Sequence, residues 1–403
     1  MVASALLVVG IAVACFVAYN IGGATTGPAF APAVGASVIT KVIAAGLMSV
    51  FFFIGAWTIG RRVVDTLGTE LVTDPAVFTL PASIVVLFFI GGALFVGNVF
   101  GVPASTSMTA VGSIAGLGLA SGQLNWAVLG EIVSWWIVAP ILGFWVAGMI
   151  GRYFYVYIDS LIAINQTNGP LVEFDRSGAV PVPIAGPGTT RRELAGSGIV
   201  IGIGCIMAFS SGTSNVANAI APLVGSGQLE MNTGIIIASV AVAIGAFTIA
   251  RRTMETLGND ITHLPLTAAI IVATISSILV ISLSLIGVPA SFVVIATMSI
   301  VGLGWGRATR TTTVTEGVRG AETPRASVGA LTADEGTATV GDPTLSEQPD
   351  PEPIGEEDPE EVPAASELFN PSTTARVVIM QNVVPIVATF GSYATFLALF
   401  ALR

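Results

Sequence analysis

Long apolar stretches alternate with short polar ones along most of the chain. Ten of these stretches have roughly the 20 residues that a helix needs to cross about 30 Å of hydrocarbon. They are residues 3–21, 34–60, 81–101, 104–121, 126–150, 196–222, 229–250, 264–287, 289–305 and 376–402. The pattern predicts a helical membrane protein, with short amphipathic connectors at 61–80 and 251–263.

The ten stretches form two sets of five that resemble each other in sequence. GAWTIGRRVVDTLG (55–68) aligns with GAFTIARRTMETLG (245–258), and GGATTGPAFAPAVG (22–35) aligns at the same offset with GTSNVANAIAPLVG (212–225). The pentapeptide GVPAS occurs in both halves, at 101–105 and at 287–291. These matches indicate an internal duplication.

Because each half has an odd number of segments, the second half begins on the opposite side of the membrane from the first and is inverted relative to it, as in many secondary transporters. We therefore predict an all-α polytopic membrane protein with two inverted repeats of about five apolar segments each, including broken or re-entrant helices. The predicted parts are a first repeat (1–150), a cytoplasmic linker (151–195), the first four segments of the second repeat (196–305), a disordered acidic cytoplasmic insertion (306–370) and a last transmembrane helix (371–403).

Charge sets the expected orientation and excludes other classes of protein. With both termini outside the cell membrane, eleven arginines fall in cytoplasmic segments and three outside, as the positive-inside rule favours. Charged residues make up 10% of the chain, against about 25% in soluble domains. Lys41 is the only lysine among 25 acidic residues, a composition that suggests a halophilic archaeon. Cys15 and Cys205, both in apolar stretches, indicate neither a disulfide framework nor a thiol-bound metal.

Four clusters of small and polar residues lie at membrane depth, where backbone polar groups must line a cavity or be buried in protein. The clusters are 19–32, 97–107, 210–222 and 287–291. We expect helix breaks there, with hydroxyl groups and helix N-termini directed at a small, oxygen-rich anion. Close helix packing is the alternative for any single serine. The predicted substrate-binding residues are Ser105, Thr106, Ser107, Ser291, Thr25, Thr26, Ser214, Asn215 and Asn218.

Two acidic residues occupy equivalent places in the repeats, Asp65 in RRVVDTLG and Glu255 in RRTMETLG. Either could pair with an arginine one turn earlier, or could serve as a coupling or gating group for a cation. Glu131 lies near tryptophans of an expected interfacial belt, and the single histidine, His263, is expected at the surface. No pattern indicates an enzyme, a cofactor, a metal cage, a nucleotide-binding loop or a nucleic-acid partner.

The chain resembles the inorganic phosphate transporter family, whose halves each carry a GANDVANA-like motif and a later PVSTTH-like motif. The best matches are GTSNVANAIAPL (212–223), RRTMETLG (251–258), GVPASTS (101–107) and LNWAVLGEIVSWWIVAPILG (124–143). The resemblance implies cation-coupled uptake of phosphate by alternating access. It also implies binding through Asn218, Ser105, Thr106 and Ser291.

The chain departs from the family motifs at charged positions. Asn215 stands where the family has Asp, and Thr25 stands at the matching position of the first copy. Coupling to Na⁺, coupling to H⁺, and a changed substrate such as sulfate therefore all stay open. A non-transporting anion sensor or membrane interaction protein is the alternative of another class, and a homodimer is a possible assembly.

Overall fold

The structure is a computed structural model that describes residues 2–35, 38–99, 105–162, 172–175, 182–185, 191–249, 266–309 and 371–402. As predicted, these residues are almost entirely helical, and eight helices are long and apolar enough to cross a membrane. One short antiparallel strand pair is present, with Val172 opposite Ala185.

The first half contains α1 (Val2–Gly35), α2 (Lys41–Gly55), α3 (Arg61–Asp65), α4 (Leu80–Val99), α5 (Thr106–Ser121) and α6 (Trp126–Tyr153). The region between the halves contains α7 (Tyr155–Ile162), β1 (Val172–Asp175) and β2 (Val182–Ala185). The second half contains α8 (Arg191–Gly225), α9 (Met231–Thr248), α10 (Leu266–Leu285), α11 (Phe292–Ala308) and α12 (Pro371–Ala401).

The breaks predicted inside clusters 19–32 and 210–222 are wrong, because α1 and α8 pass through them without interruption. In α1 the hydroxyl groups of Thr25 and Thr26 donate to the carbonyls of Ile21 and Gly22, one turn earlier. Burial against neighbouring helices, as at Ala29 and Phe30, lets proline remain inside a membrane helix. The other two clusters do separate helices, since α4 ends at Val99 before α5, and α10 ends before α11.

The connector predicted at 61–80 is also shorter than expected. A continuous helical rod runs from Lys41 to Glu70, with π-helical turns at Ala56–Gly60 and Thr66–Glu70 on either side of α3. π-Helical turns widen a helix locally and often occur at functional sites. The paired arginines and Asp65 therefore lie on a helix rather than in a loop.

The helices of the two halves pack through matched pairs of glycines at their crossing points. A Cβ on Gly22 of α1 would lie 2.1 Å from the Val242 carbonyl oxygen of α9, and one on Gly212 of α8 would lie 2.0 Å from that of Phe52 in α2. Gly22 aligns with Gly212 in the repeat. Small residues allow this close approach of backbones in membrane helices. The core of the molecule is therefore built from two equivalent crossings.

The equivalent helices α1 and α8 run antiparallel where they touch. Gly10, early in α1, faces Leu223 near the end of α8, whereas Phe30 near the end of α1 faces Gly204. Inverted repeats would place these helices antiparallel, and the inverted repeat itself stays a prediction. Two further pairs, α5 with α12 and α6 with α11, also pack through glycines such as Gly116 and Gly302.

Candidate functional site

A cavity lies between α1, α5, α8 and the start of α11. It leaves about 40 Å³ for the centres of water-sized molecules. Since a single water needs about 10–15 Å³ by this measure, the cavity accommodates a small polar species. Its lining is Ala24, Thr25, Pro28, Ala29, Thr106, Met207, Ser211, Asn215, Ser291, Phe292 and Val293.

Two helix N-termini are present at this cavity. Ser291 is the N-cap of α11, and its hydroxyl oxygen accepts a hydrogen bond from the Val294 backbone N–H. Ser105 caps α5 in the same way by accepting from Met108. The N–H groups of a first helical turn that remain free attract anions, as does the positive end of the helix dipole. Ser105 and Ser291, the last residues of the two GVPAS sequences, therefore each mark a helix N-terminus at this level.

The α8 side contributes a network of amides and hydroxyls. The Thr106 hydroxyl donates to Asn215 Oδ1, and Asn218 Nδ2 donates to the same oxygen at 3.2 Å. Asn215 Nδ2 donates in turn to Ser211 Oγ at 3.0 Å. Ser211 and Asn215 lie one helical turn apart, which places both on the face of α8 that borders the cavity.

A second set of bonds holds the segment that precedes α11. The Ala290 carbonyl oxygen accepts hydrogen bonds from the hydroxyls of Ser107 and Ser214, each at 2.9 Å. The Ala290 backbone N–H donates to Ser214 Oγ at 3.1 Å. Trp136 Nε1 of α6 donates to the Pro289 carbonyl at 2.8 Å. Both halves of the chain therefore fix the position of Ser291.

The α1 side contributes neutral acceptors. Pro28 has no N–H, so the Ala24 carbonyl does not receive the usual helical hydrogen bond, and both residues line the cavity. Thr25 lines the cavity while its hydroxyl donates to Ile21, which leaves its oxygen lone pairs free. The described lining contains no Asp, Glu, Lys, Arg or His, so polarity comes from dipoles alone.

Comparison with known proteins assigns the chain to a family, because residues 21–324 match the model of the phosphate transporter family (PHO4), about three quarters of the sequence. The chain belongs to the phosphate transporter family. The resemblance seen in the sequence is thereby confirmed.

Two relatives differ in the substrate that their names give. "Sulfate permease CysP" of Bacillus subtilis is 29% identical over 296 residues, covering 72% of this chain and 75% of that protein. "Putative phosphate permease TK2061" of Thermococcus kodakarensis is 26% identical over 364 residues, covering 75% and 89%. A solved structure titled "The sodium-dependent phosphate transporter" shares the fold, with a TM-score of 0.65 at 17% identity over 99% of this chain and 100% of that one.

Among the predicted substrate-binding residues of this family member, four line the cavity: Thr25, Thr106, Asn215 and Ser291. The others lie behind that lining. Ser105 caps α5, Thr26 bonds to its own helix, Ser107 and Ser214 hold Ala290, and Asn218 supports Asn215.

Sequence reasoning did not single out Ser211, although its spacing of four residues from Asn215 places both on one helix face. Trp136, one of the tryptophans near Glu131, is half-buried and donates to the connector before α11. The partner of Trp136 lies 153 residues away, and no local pattern identifies such a contact. Glu131 is exposed on α6.

Asp65, the predicted coupling or gating residue that the structure describes, is not in the cavity lining. Asp65 is exposed on α3. The neighbouring guanidinium groups bind other partners, since Arg61 donates to Asn232 Oδ1 at 2.6 Å and Arg62 donates to the Leu285 carbonyl. Glu255 and His263 lie outside the described residues. A role for Asp65 or Glu255 in coupling stays a prediction.

Proposed function

We propose that the chain is a secondary transporter that carries inorganic phosphate across the cell membrane by alternating access. Membership of the phosphate transporter family and the multi-pass helical fold support transport. The observation that carries the substrate class, a tetrahedral oxyanion, is the neutral cavity with two helix N-termini beside it, because N–H groups and hydroxyls arranged in this way bind such anions. Within that class, membership of the phosphate transporter family favours phosphate.

A flux measurement on purified protein in liposomes tests this proposal. We expect saturable, protein-dependent accumulation of labelled phosphate when Na⁺ and H⁺ gradients are imposed in turn. Ser211→Ala removes a hydroxyl from the cavity lining and lowers phosphate affinity. Ser210→Ala is its matched control, since Ser210 is the preceding residue of α8, is fully buried and does not line the cavity. Absence of phosphate flux under every gradient refutes the proposal.

Sulfate is the second candidate substrate. It is favoured by the 29% identity to a protein named as a sulfate permease, which covers 72% of this chain. Sulfate has the same tetrahedral shape as phosphate and accepts hydrogen bonds at all four oxygens. Competition between labelled phosphate and unlabelled sulfate in the flux assay separates the two candidates.

Further parts of the proposal concern orientation, coupling and assembly. The distribution of arginines supports both termini outside, with residues 151–195 and 306–370 in the cytoplasm. Na⁺ and H⁺ are the candidate coupling ions, with Asp65 and Glu255 as candidate gating groups, and a homodimer is the candidate assembly. Protease accessibility from each side of sealed vesicles tests the orientation, and a single cleavage at 306–370 from outside refutes it.

A further inference from the structure

The protons of the substrate distinguish phosphate from sulfate. Inorganic phosphate near neutral pH carries at least one proton, whereas sulfate carries none. An ionised carboxylate in a binding site accepts a hydrogen bond from a protonated oxyanion and repels a fully ionised one. The charge of the groups around the cavity therefore determines which of the two anions is favoured.

Asn215 contributes the only amide side chain of the described cavity lining. Its carbonyl oxygen accepts hydrogen bonds from Thr106 and Asn218, so both lone-pair positions are in use. One amide N–H donates to Ser211, and the second remains for a ligand. Asn215 therefore offers the cavity a hydrogen-bond donor instead of a negatively charged acceptor.

The rest of the described lining is neutral as well. The Ser291 hydroxyl accepts from the Val294 N–H, which leaves its own proton free to donate to an anion. The Thr25 hydroxyl oxygen and the Ala24 carbonyl can accept the proton of a phosphate without repelling a sulfate. Such a lining can bind an anion that carries a proton, as phosphate does, but does not favour it over an anion without one, such as sulfate.

From this network we infer that the site binds tetrahedral oxyanions as a class, sulfate together with phosphate, and that Asn215 is the residue that sets the ratio between them. The inference rests on the proposed function, because it names the substrate class of the same cavity. Asn215 is the only amide side chain in the described lining, so Asn215→Asp is the one isosteric change there that replaces a neutral donor with a charged acceptor.

Equilibrium exchange in proteoliposomes with equal pH on both sides tests the inference without an imposed gradient. Labelled sulfate and labelled phosphate are each competed with both unlabelled anions. In the wild type, the half-inhibiting concentrations of phosphate and sulfate lie within about tenfold of each other. Asn215→Asp shifts their ratio toward phosphate by about tenfold or more, the effect expected for one hydrogen bond to a charged group.

Ser211→Ala is the matched control, because it removes a neutral donor from the same helix face. We expect it to weaken both anions and leave their ratio unchanged. If Asn215→Asp does not fold, the wild type still gives an answer: phosphate competes no less well as pH rises and phosphate loses a proton, because the lining does not select for that proton. Three results would each overturn the inference. The wild type could exchange phosphate and discriminate against sulfate by more than about a hundredfold. Folded Asn215→Asp could show an unchanged ratio between the two anions, or competition by phosphate could weaken as pH rises. Failure to exchange either anion instead refutes the proposed function.

Discussion

Replacing Gly212 with alanine tests the helix crossing on which the cavity is built. The new Cβ would lie 2.0 Å from the Phe52 carbonyl oxygen and 3.0 Å from the Ala56 nitrogen. Cβ atoms in proteins keep at least 3.0 Å from such atoms, so α8 and α2 have to separate by about 1 Å. Both neighbours are backbone atoms, and no side-chain rotation can relieve the contact.

The expected cost is about 1–3 kcal/mol, the range found for overpacked cores. Gly202→Ala in the same helix is the control, because nothing lies within 4 Å of its new Cβ. That control gains up to about 1 kcal/mol from helix propensity. The two variants should therefore differ by about 1–4 kcal/mol, and Gly212→Ala should have the lower melting temperature in detergent.

The repeat supplies a second test of the same crossing. Gly22→Ala places its Cβ 2.1 Å from the Val242 carbonyl oxygen, so we expect a loss like that of Gly212→Ala. Equal melting temperatures for Gly212→Ala and Gly202→Ala would refute the close crossing. A loss in only one of Gly212→Ala and Gly22→Ala would refute its twofold character.

Three further predictions concern the site and its supports. Thr106→Val keeps the side-chain shape but removes a hydroxyl at the cavity. We expect anion affinity in the exchange assay to fall by up to about tenfold, and an unchanged affinity argues against the site. Gly287→Ala and Gly122→Ala both place alanine at a positive φ, 81° and 70° respectively. Only the Cβ at position 287 would meet another side chain, the Thr66 hydroxyl at 2.6 Å. The melting temperature of Gly287→Ala should therefore fall further than that of Gly122→Ala, and an equal fall contradicts the contact. Glu230 caps α9, and the backbone N–H donors there lower the pKa of its carboxyl group. The ionised carboxylate therefore stabilises the fold fully above the ordinary pKa of 4.5, and this stabilisation is lost as pH falls through the lower pKa of the folded state. The difference in melting temperature between the wild type and Glu230→Gln should shrink on acidification, and a difference that does not change with pH contradicts this.

The helical elements follow from the sequence because hydrocarbon demands long apolar segments with internal hydrogen bonds. The same rule suggested breaks at every cluster of glycine, proline and hydroxyl residues. In α1 it failed because the segment is buried among other helices, as at Ala29 and Phe30, and the helix continues past Pro28. The breaks at GVPAS are different, since Ser291 takes a non-helical N-cap conformation there.

The site itself was predictable by region but not by side chain. The motifs identified the correct stretch of α8, yet Asn215 faces the cavity while Ser214, the preceding residue, bonds to Ala290. Successive residues of a helix point about 100° apart, so their partners depend on how neighbouring helices pack. That packing depends on contacts between distant parts of the chain, such as Trp136 with Pro289.

The location of a bound oxyanion tests the central claim most directly. Selenate is tetrahedral and contains an anomalous scatterer, so crystals of the full chain soaked in it would show its position. We expect one peak in the cavity lined by Thr106, Asn215 and Ser291, displaced by both phosphate and sulfate. A selenate peak elsewhere in the membrane-spanning part, with this cavity empty, would contradict the account.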